Sequence, residues 1–303
     1  MCVVVPVSVG KHASQINSDD ESRVIGQRRT TRRRDMNMVE RCPIASPATV
    51  RPTGCHLPLA IPSTEVPLFV RWEEHSSLPP TAWRNAFFVQ VGANCGRNTP
   101  ECAAGGDPVW PYVRSCGWRG IAIEPVRRTF HRLCENYAAL GAASRVTPLR
   151  ALIADKREDG LVVAQGEMSH VASTREAQTH RVRHNLTRGV ERVPTLTLSD
   201  VWPNRTELAR GHQTAAAPPL VLVIDAEGAE PRILARGDLP QPPPDFVLFE
   251  MVHLADTDRA LIDANLRRQG YARRAALRHQ DANALHSKKT HDWLYARARS
   301  RAE

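Results

Sequence analysis

From residue 87 to residue 297 the chain alternates two kinds of apolar pattern. One is the short unbroken run: Phe88-Val89-Gln90-Val91, Gly120-Ile-Ala-Ile123, Leu220-Val-Leu-Val-Ile224 and Phe246-Val-Leu-Phe249. Such runs fit strands buried on both faces of a parallel sheet. The other pattern repeats every three or four residues, as a helix buried on one side requires. Val109, Trp110, Val113 and Cys116 show it, then Val126, Phe130, Leu133, Cys134 and Tyr137, then Leu261, Ile262 and Leu266. Asp107-Pro108 supplies a start for the first helix and Gly117 a stop. Pro125 and Gly141 bracket the second, and Asp256 and Gly270 the third. Strands alternating with helices predict a doubly wound α/β sheet. The segment 291–297 is expected to close it as an antiparallel last strand.

Between these elements the pattern is less regular. Arg145 to Ile153 reads as a third strand, and Leu161-Val-Val-Ala164 begins another. Residues 165–192 are polar, hold Ser169-His170, His180 and His184, and are expected to cover the site or form a lid. Thr195 to Trp202 alternates and then turns into a short helix. Residues 1–66 show no sustained periodicity and are rich in Ser, Thr, Pro and Arg. That composition predicts a disordered or loosely ordered basic tail, leaving one domain at 67–303.

Composition narrows the class. With 303 residues and 42% apolar content, the chain can bury one good core. No stretch approaches ~18 consecutive apolar residues, so no membrane span is expected. The seven cysteines are dispersed and form no Cys-x-x-Cys pair. This argues against disulfides or a zinc site and for a reducing compartment, hence a cytoplasmic location. The opening segment lacks the basic region of a secretory signal, while the arginine-rich tail leaves organelle targeting open. A net charge of +9 raises nucleic acid as a partner, but a diffuse positive surface is the commoner meaning of such an excess.

The candidate chemistry starts at Phe88 to Gly96, FVQVGANCG, an apolar strand breaking into a turn of small residues. Side chains at Gly92 or Gly96 would block close approach of a ligand to that backbone. The spacing is Gly-x-x-x-Gly, without the dinucleotide fingerprint and without a phosphate loop. A cofactor lacking phosphates, such as S-adenosylmethionine, suits it. Glu124 ends the second strand, where an acid can accept hydrogen bonds from ribose hydroxyls. The Leu220 run ends in Asp225-Ala-Glu227-Gly-Ala-Glu230, three acids where an open sheet binds ligands. The Phe246 run also ends in an acid, Glu250, with His253 shortly after.

FVQVGANCG, GWRGIAIEP, PTLTLSDV, VLVIDAEGAEPRIL and FVLFE, in that order, resemble the FkbM-type S-adenosylmethionine-dependent methyltransferases over residues 87–297. The resemblance implies a Rossmann-like class I methyltransferase fold: a doubly wound, mostly parallel seven-stranded sheet with an antiparallel last strand. It implies methyl transfer to a hydroxyl of a sugar or natural product. Gly92, Ala93, Asn94 and Gly96 would then hug the methionine part of the cofactor. Glu124 would hold the ribose, Ala151 would border the adenine, and Asp225 and Glu227 would face the methyl group and the acceptor. Gln90 departs from the family pattern, in which many members carry Asp, and removes a charge under the cofactor's ammonium group.

A hydroxyl acceptor must lose its proton, and a carboxylate can take it. Asp225 is the expected general base, with Glu227 second and His170 and His253 weaker candidates. Asp225 and Glu227 could instead ligate a divalent cation holding a diol acceptor, although the sequence assigns no metal ligands. The expected partner is a small-molecule or glycan acceptor. An RNA methyltransferase is the alternative, but the aromatic platform for single strands is missing. A catalytically inactive relic of the cofactor fold is another, and a nicotinamide oxidoreductase fails on turn spacing. Oligomeric state is left unassigned.

Overall fold

The computed structural model describes residues 39–42, 72–76, 78, 80–84, 86–96, 107–157, 159–163, 170–172, 190–204, 208, 218–235, 237–277 and 292–298. These belong to the unit Val39–Glu303. In chain order the elements are β1 (Glu40–Arg41), β2 (Phe87–Val91), α1 (Trp110–Cys116), β3 (Arg119–Ile123), α2 (Arg127–Ala139), β4 (Val146–Arg150), β5 (Leu152–Ile153) and β6 (Asp159–Val163). There follow β7 (His170–Ala172), β8 (Val190–Leu196), α3 (Leu198–Val201), β9 (Leu220–Ile224), α4 (Glu230–Leu234), β10 (Phe246–Glu250), α5 (Asp256–Arg268), β11 (Tyr271–Leu277) and β12 (Asp292–Arg297). Two 3-10 turns, Trp72–His75 and Pro80–Trp83, precede β2.

The main sheet runs β1-β4-β3-β2-β9-β10-β12-β11. β4, β3, β2, β9 and β10 are parallel, and β12 enters antiparallel between β10 and β11. The chain therefore winds outward from β2 to β4, then restarts on the other side of β2 with β9. In such sheets ligands bind at a reversal of this kind, beyond the carboxyl ends of the strands, here β2 and β9. A second sheet, β5-β8-β6-β7, was not foreseen as a unit. The predicted third strand breaks at Ala151, and its last two residues pair with β8 in that second sheet.

Why these strands sit centrally follows from their side chains. All five residues of β9 are buried, and neighbouring positions feed opposite cores. Leu222, Ile224, Val247 and Phe249 pack on one face with Ile262 and Leu266 of α5. Val221, Val223, Leu248 and Phe88 pack on the other with Trp72, Trp83 and Trp118. Each fully buried aliphatic side chain contributes ~1.5–3 kcal/mol. The Trp83 and Trp118 rings stack at 5.9 Å, and Trp118 Nε1 donates to the Trp83 carbonyl at 2.8 Å. The 3-10 turns thus serve as anchors for one face of the sheet.

Two expectations need correction. Residues 39–42 lie inside the segment expected to be a loose tail, yet β1 pairs antiparallel with β4, with Glu40 opposite Arg150. Glu40 reaches Arg150 at 3.5 Å and His131 at 3.6 Å. Edge pairing depends on a partner about a hundred residues downstream, which local composition does not encode. The remaining expectations for residues 1–66, and those for His180 and His184, lie outside the described residues. The second correction concerns cysteine. Cys42 and Cys134 form a disulfide across a sequence separation of 92, and Cys95 and Cys116 are disulfide-bonded too. Dispersed spacing concealed pairs that only the folded chain brings together. The argument for a reducing, cytoplasmic compartment rested on free thiols and loses that ground. No helix among the described residues is long and apolar enough to cross a membrane.

Candidate active site

The first strand and its turn are held from both sides. The N–H groups of Gly92 and Ala93 donate to the Ile123 carbonyl at 3.0 and 2.9 Å, tying the turn to β3. Asp225 N–H donates to the Val91 carbonyl at 2.9 Å, tying the end of β9 to the end of β2. Gly92 has φ +76°, and a Cβ there would overlap the carbonyl oxygen of Asp225. Gly96 has φ +60°, and a Cβ there would crowd Leu133 and Tyr137 of α2. Close approach of neighbouring protein atoms thus requires glycine at both positions, whatever lies on the turn's other side. Asn94 completes the turn at φ 48°, with its Oδ1 accepting from Cys95 N–H at 2.8 Å.

Glu124 stands at the end of β3, 6% exposed. Its Oε2 accepts from Asn94 N–H at 3.0 Å and its Oε1 from Val126 N–H at 2.9 Å. The acid thus links the glycine turn to the start of α2. Burial raises its pKa to about 7, against the pull of the two backbone N–H groups. Each carboxyl oxygen retains a second lone pair for a hydroxyl donor. Ala151 is fully buried just past β4.

Gln90 is buried at the end of β2, and its Nε2 donates to Asp107 Oδ1 at 3.4 Å. The same oxygen accepts from Val109 N–H at 2.7 Å and Trp110 N–H at 3.1 Å, so Asp107 braces the entry to α1 from outside it; the cap position is Val109 and the first-turn proline is Pro111, not the expected Asp107 and Pro108. A carboxyl group therefore lies one hydrogen bond from the position where the family pattern has Asp. Burial raises the Asp107 pKa to about 6, with the three hydrogen bonds opposing. Gln90 Oε1 is buried without a hydrogen-bond partner. An acceptor of this kind suits an ammonium group, and the spare lone pairs of Glu124 suit ribose hydroxyls. The residues at hand fit S-adenosylmethionine.

The acids lie at the neighbouring strand ends. Asp225 follows β9, Glu227 occupies the next loop at φ 49°, and Glu250 is the last residue of β10. Asp292, the first residue of β12, is the cross-strand partner of Glu250 and is 5% exposed. Asp225 shares a side-chain hydrogen bond with Glu250, and the pKa values of both are raised. For each, desolvation leads and neighbouring carboxylates add to it: Glu227, Asp292 and Glu230 for Asp225, and Asp225 first for Glu250. Asp225 nonetheless keeps surface exposure. A carboxyl–carboxylate hydrogen bond requires one proton held between the two groups.

Gly92, Ala93, Asn94, Gly96, Glu124, Asp225 and Glu227 are thus gathered at the carboxyl ends of three adjacent strands. His253, a secondary base candidate, lies 3.4 Å from Glu227 and 3.8 Å from Glu250. Side-chain placement of His170 is outside the described residues. Sequence reasoning gave Glu250 and Asp292 no role in the site. The acid at the end of a buried run was a signal for Glu250. Asp292 had none, since its position follows from the antiparallel insertion of β12.

A reversed-winding parallel sheet with an antiparallel penultimate strand, a glycine turn and acids at the strand ends defines a Rossmann-like methyltransferase. The sequence matches the methyltransferase FkbM domain over residues 90–272, more than half of the chain, and the protein belongs to that family. No protein of curated function matches it. Similar solved structures include the methyltransferase FkbM from Methylobacillus flagellatus, at 13% identity and a TM-score of 0.37, over 71% of this chain and 44% of that one. The B. subtilis M1A22 tRNA methyltransferase TrmK is similar at 13% identity and a TM-score of 0.37, over 77% of this chain and 67% of that one. The human methyltransferase 10 domain containing protein is similar at 12% identity and a TM-score of 0.36, over 94% of this chain and 99% of that one.

Proposed function

We propose that this methyltransferase transfers a methyl group from S-adenosylmethionine to a hydroxyl of a sugar, glycan or small natural product. Bound S-adenosylmethionine supplies a methyl group already activated on a sulfonium. The protein must hold the acceptor oxygen in line within ~3–3.5 Å of it and remove the hydroxyl proton. In this reading Gln90 and Asp107 receive the ammonium end, Glu124 receives the ribose, and Ala151 borders the adenine. Asp225 takes the proton as the acceptor oxygen bonds to the methyl carbon, while the electron pair of the broken carbon–sulfur bond stays on sulfur.

The observation that carries this reading is the tie between Asp225 and the turn after β2. It anchors the backbone of a residue of raised proton affinity at the strand end next to the glycine turn, which supports the reading. A base is most effective when its pKa lies near the working pH. Glu227, Glu230, Glu250 and Asp292 around it also make the site hostile to a phosphate backbone, which favours an uncharged polyol over RNA. The test is incubation with methyl-labelled donor and a panel of sugars, glycans and RNA. Label in a hydroxyl-bearing neutral acceptor is expected. Label in RNA alone would replace this reading with the nucleic-acid one.

A further inference from the structure

Beside Asp225, three side chains of two chemical kinds converge. The Glu227 and Glu250 carboxylates and the His253 imidazole each offer one ligand atom, and these atoms lie within 4.8 Å of one another. They come from two pieces of chain: the loop after β9, and the end of β10 with the turn that follows it. Bonds of ~2.0–2.2 Å to a shared ion would place neighbouring ligand atoms about 3–3.5 Å apart. The two distances from His253 Nε2, 3.4 and 3.8 Å, are close to that spacing before any ion draws them in.

A second observation lies one turn away. Glu230 is 1% exposed. Its Oε1 accepts from Ala226 N–H at 2.6 Å, while its Oε2 is buried without a hydrogen-bond partner. Glu230 opens α4 three residues after Glu227, so its charge adds to that of the neighbouring acids. Gathering carboxylates in a partly dry corner is costly unless a cation offsets them.

We propose that Glu227, Glu250 and His253 form a binding site for one divalent transition-metal cation of the Mn²⁺ kind. Two carboxylates suit a hard ion, whereas an imidazole turns preference away from Mg²⁺ and Ca²⁺, which take oxygen ligands. Three protein ligands leave coordination positions open to water or to an acceptor's oxygens. Asp225, hydrogen-bonded to Glu250, would orient that ligand from outside the coordination sphere. This set differs from the Asp225–Glu227 pair that the sequence raised. It also goes beyond methyl transfer, since the site requires neither donor nor acceptor. The competing account is a plain ion pair between an imidazolium and two glutamates.

The experiment titrates the full oxidised chain with Mn²⁺ in the absence of methyl donor, following free Mn²⁺ by electron paramagnetic resonance. One equivalent is expected to bind, with nitrogen modulation in the electron spin-echo envelope. His253→Gln, at a side chain 45% exposed and so tolerant of change, should abolish the modulation and weaken binding at least about tenfold. Glu250→Gln should weaken binding similarly. No stoichiometric uptake, uptake without nitrogen coupling, or affinity unchanged in both variants would overturn the site. Because the readout is cation uptake, failure of the sugar-acceptor reading leaves this result intact.

Discussion

Gly92 and Asp225 meet backbone to backbone: the carbonyl oxygen of Asp225 fills the space a side chain at Gly92 would need. With Gly92 at φ +76°, two independent demands fall on one residue, a left-handed backbone and an absent Cβ. The cofactor turn and the acidic loop are therefore one packed unit. Neither can shift without the other.

Gly92→Ala should destabilise the fold by about 3 kcal/mol or more, since strain and overlap with backbone add. Gly228→Ala is the control. Gly228 has φ +92° but nothing within 4 Å of an added Cβ, so only strain of about 1–2 kcal/mol is expected. Urea denaturation of the two variants checks the difference. Equal losses would show that the contact with Asp225 contributes nothing.

Asp225→Asn keeps the shape and removes the base. Turnover should fall about 10²- to 10⁴-fold, with S-adenosylmethionine affinity retained by calorimetry. Full turnover in this variant would exclude Asp225 as the proton acceptor.

Asp107 gives one component of the pH dependence of stability a definite sign. Its pKa rises from 3.8 to about 6 on folding, so the folded chain binds this proton more tightly than the unfolded one. The stabilisation is complete below pH 3.8 and is lost as pH climbs through about 6. The contribution is on the order of 2–3 kcal/mol. Asp107→Asn keeps an oxygen for Val109 and Trp110 but does not titrate. It should flatten the stability curve between about pH 4 and 6 relative to wild type, as thermal melts across buffers would reveal. Parallel curves would remove Asp107 as the cause.

Cys134→Ser opens the link to Cys42. Cross-links closing long loops are worth about 2–4 kcal/mol, so the denaturation midpoint should drop accordingly. An unchanged midpoint would mean the link adds no stability.

Much of this molecule is legible in its sequence, for reasons that differ by element. The apolar residues of β9 and β10 are all buried, so their uniform runs announce these strands, and the acids at their ends announce the site. The break at Ala151, the pairing of Glu40 with Arg150 and the placement of Asp292 opposite Glu250 are not legible. Each depends on which distant segment arrives alongside, and no local pattern carries that information. Asp107 shows a mixed case. An acid ahead of the helix follows from Asp107-Pro108, though the cap itself falls at Val109, while its hydrogen bond to Gln90 arises because the strand end and the helix start meet in space. Gln90 therefore loses the charge of the family pattern without leaving the neighbourhood bare.

The short strand at Glu40–Arg41 has a practical consequence. A protein trimmed to begin at residue 67 would retain every catalytic candidate, yet the outer rim of β4 would be stripped of its hydrogen-bonding neighbour and α2 of its covalent tether. Bare rims of that kind recruit one another. The trimmed form is expected to self-associate during purification, and light scattering of the two lengths side by side would reveal it.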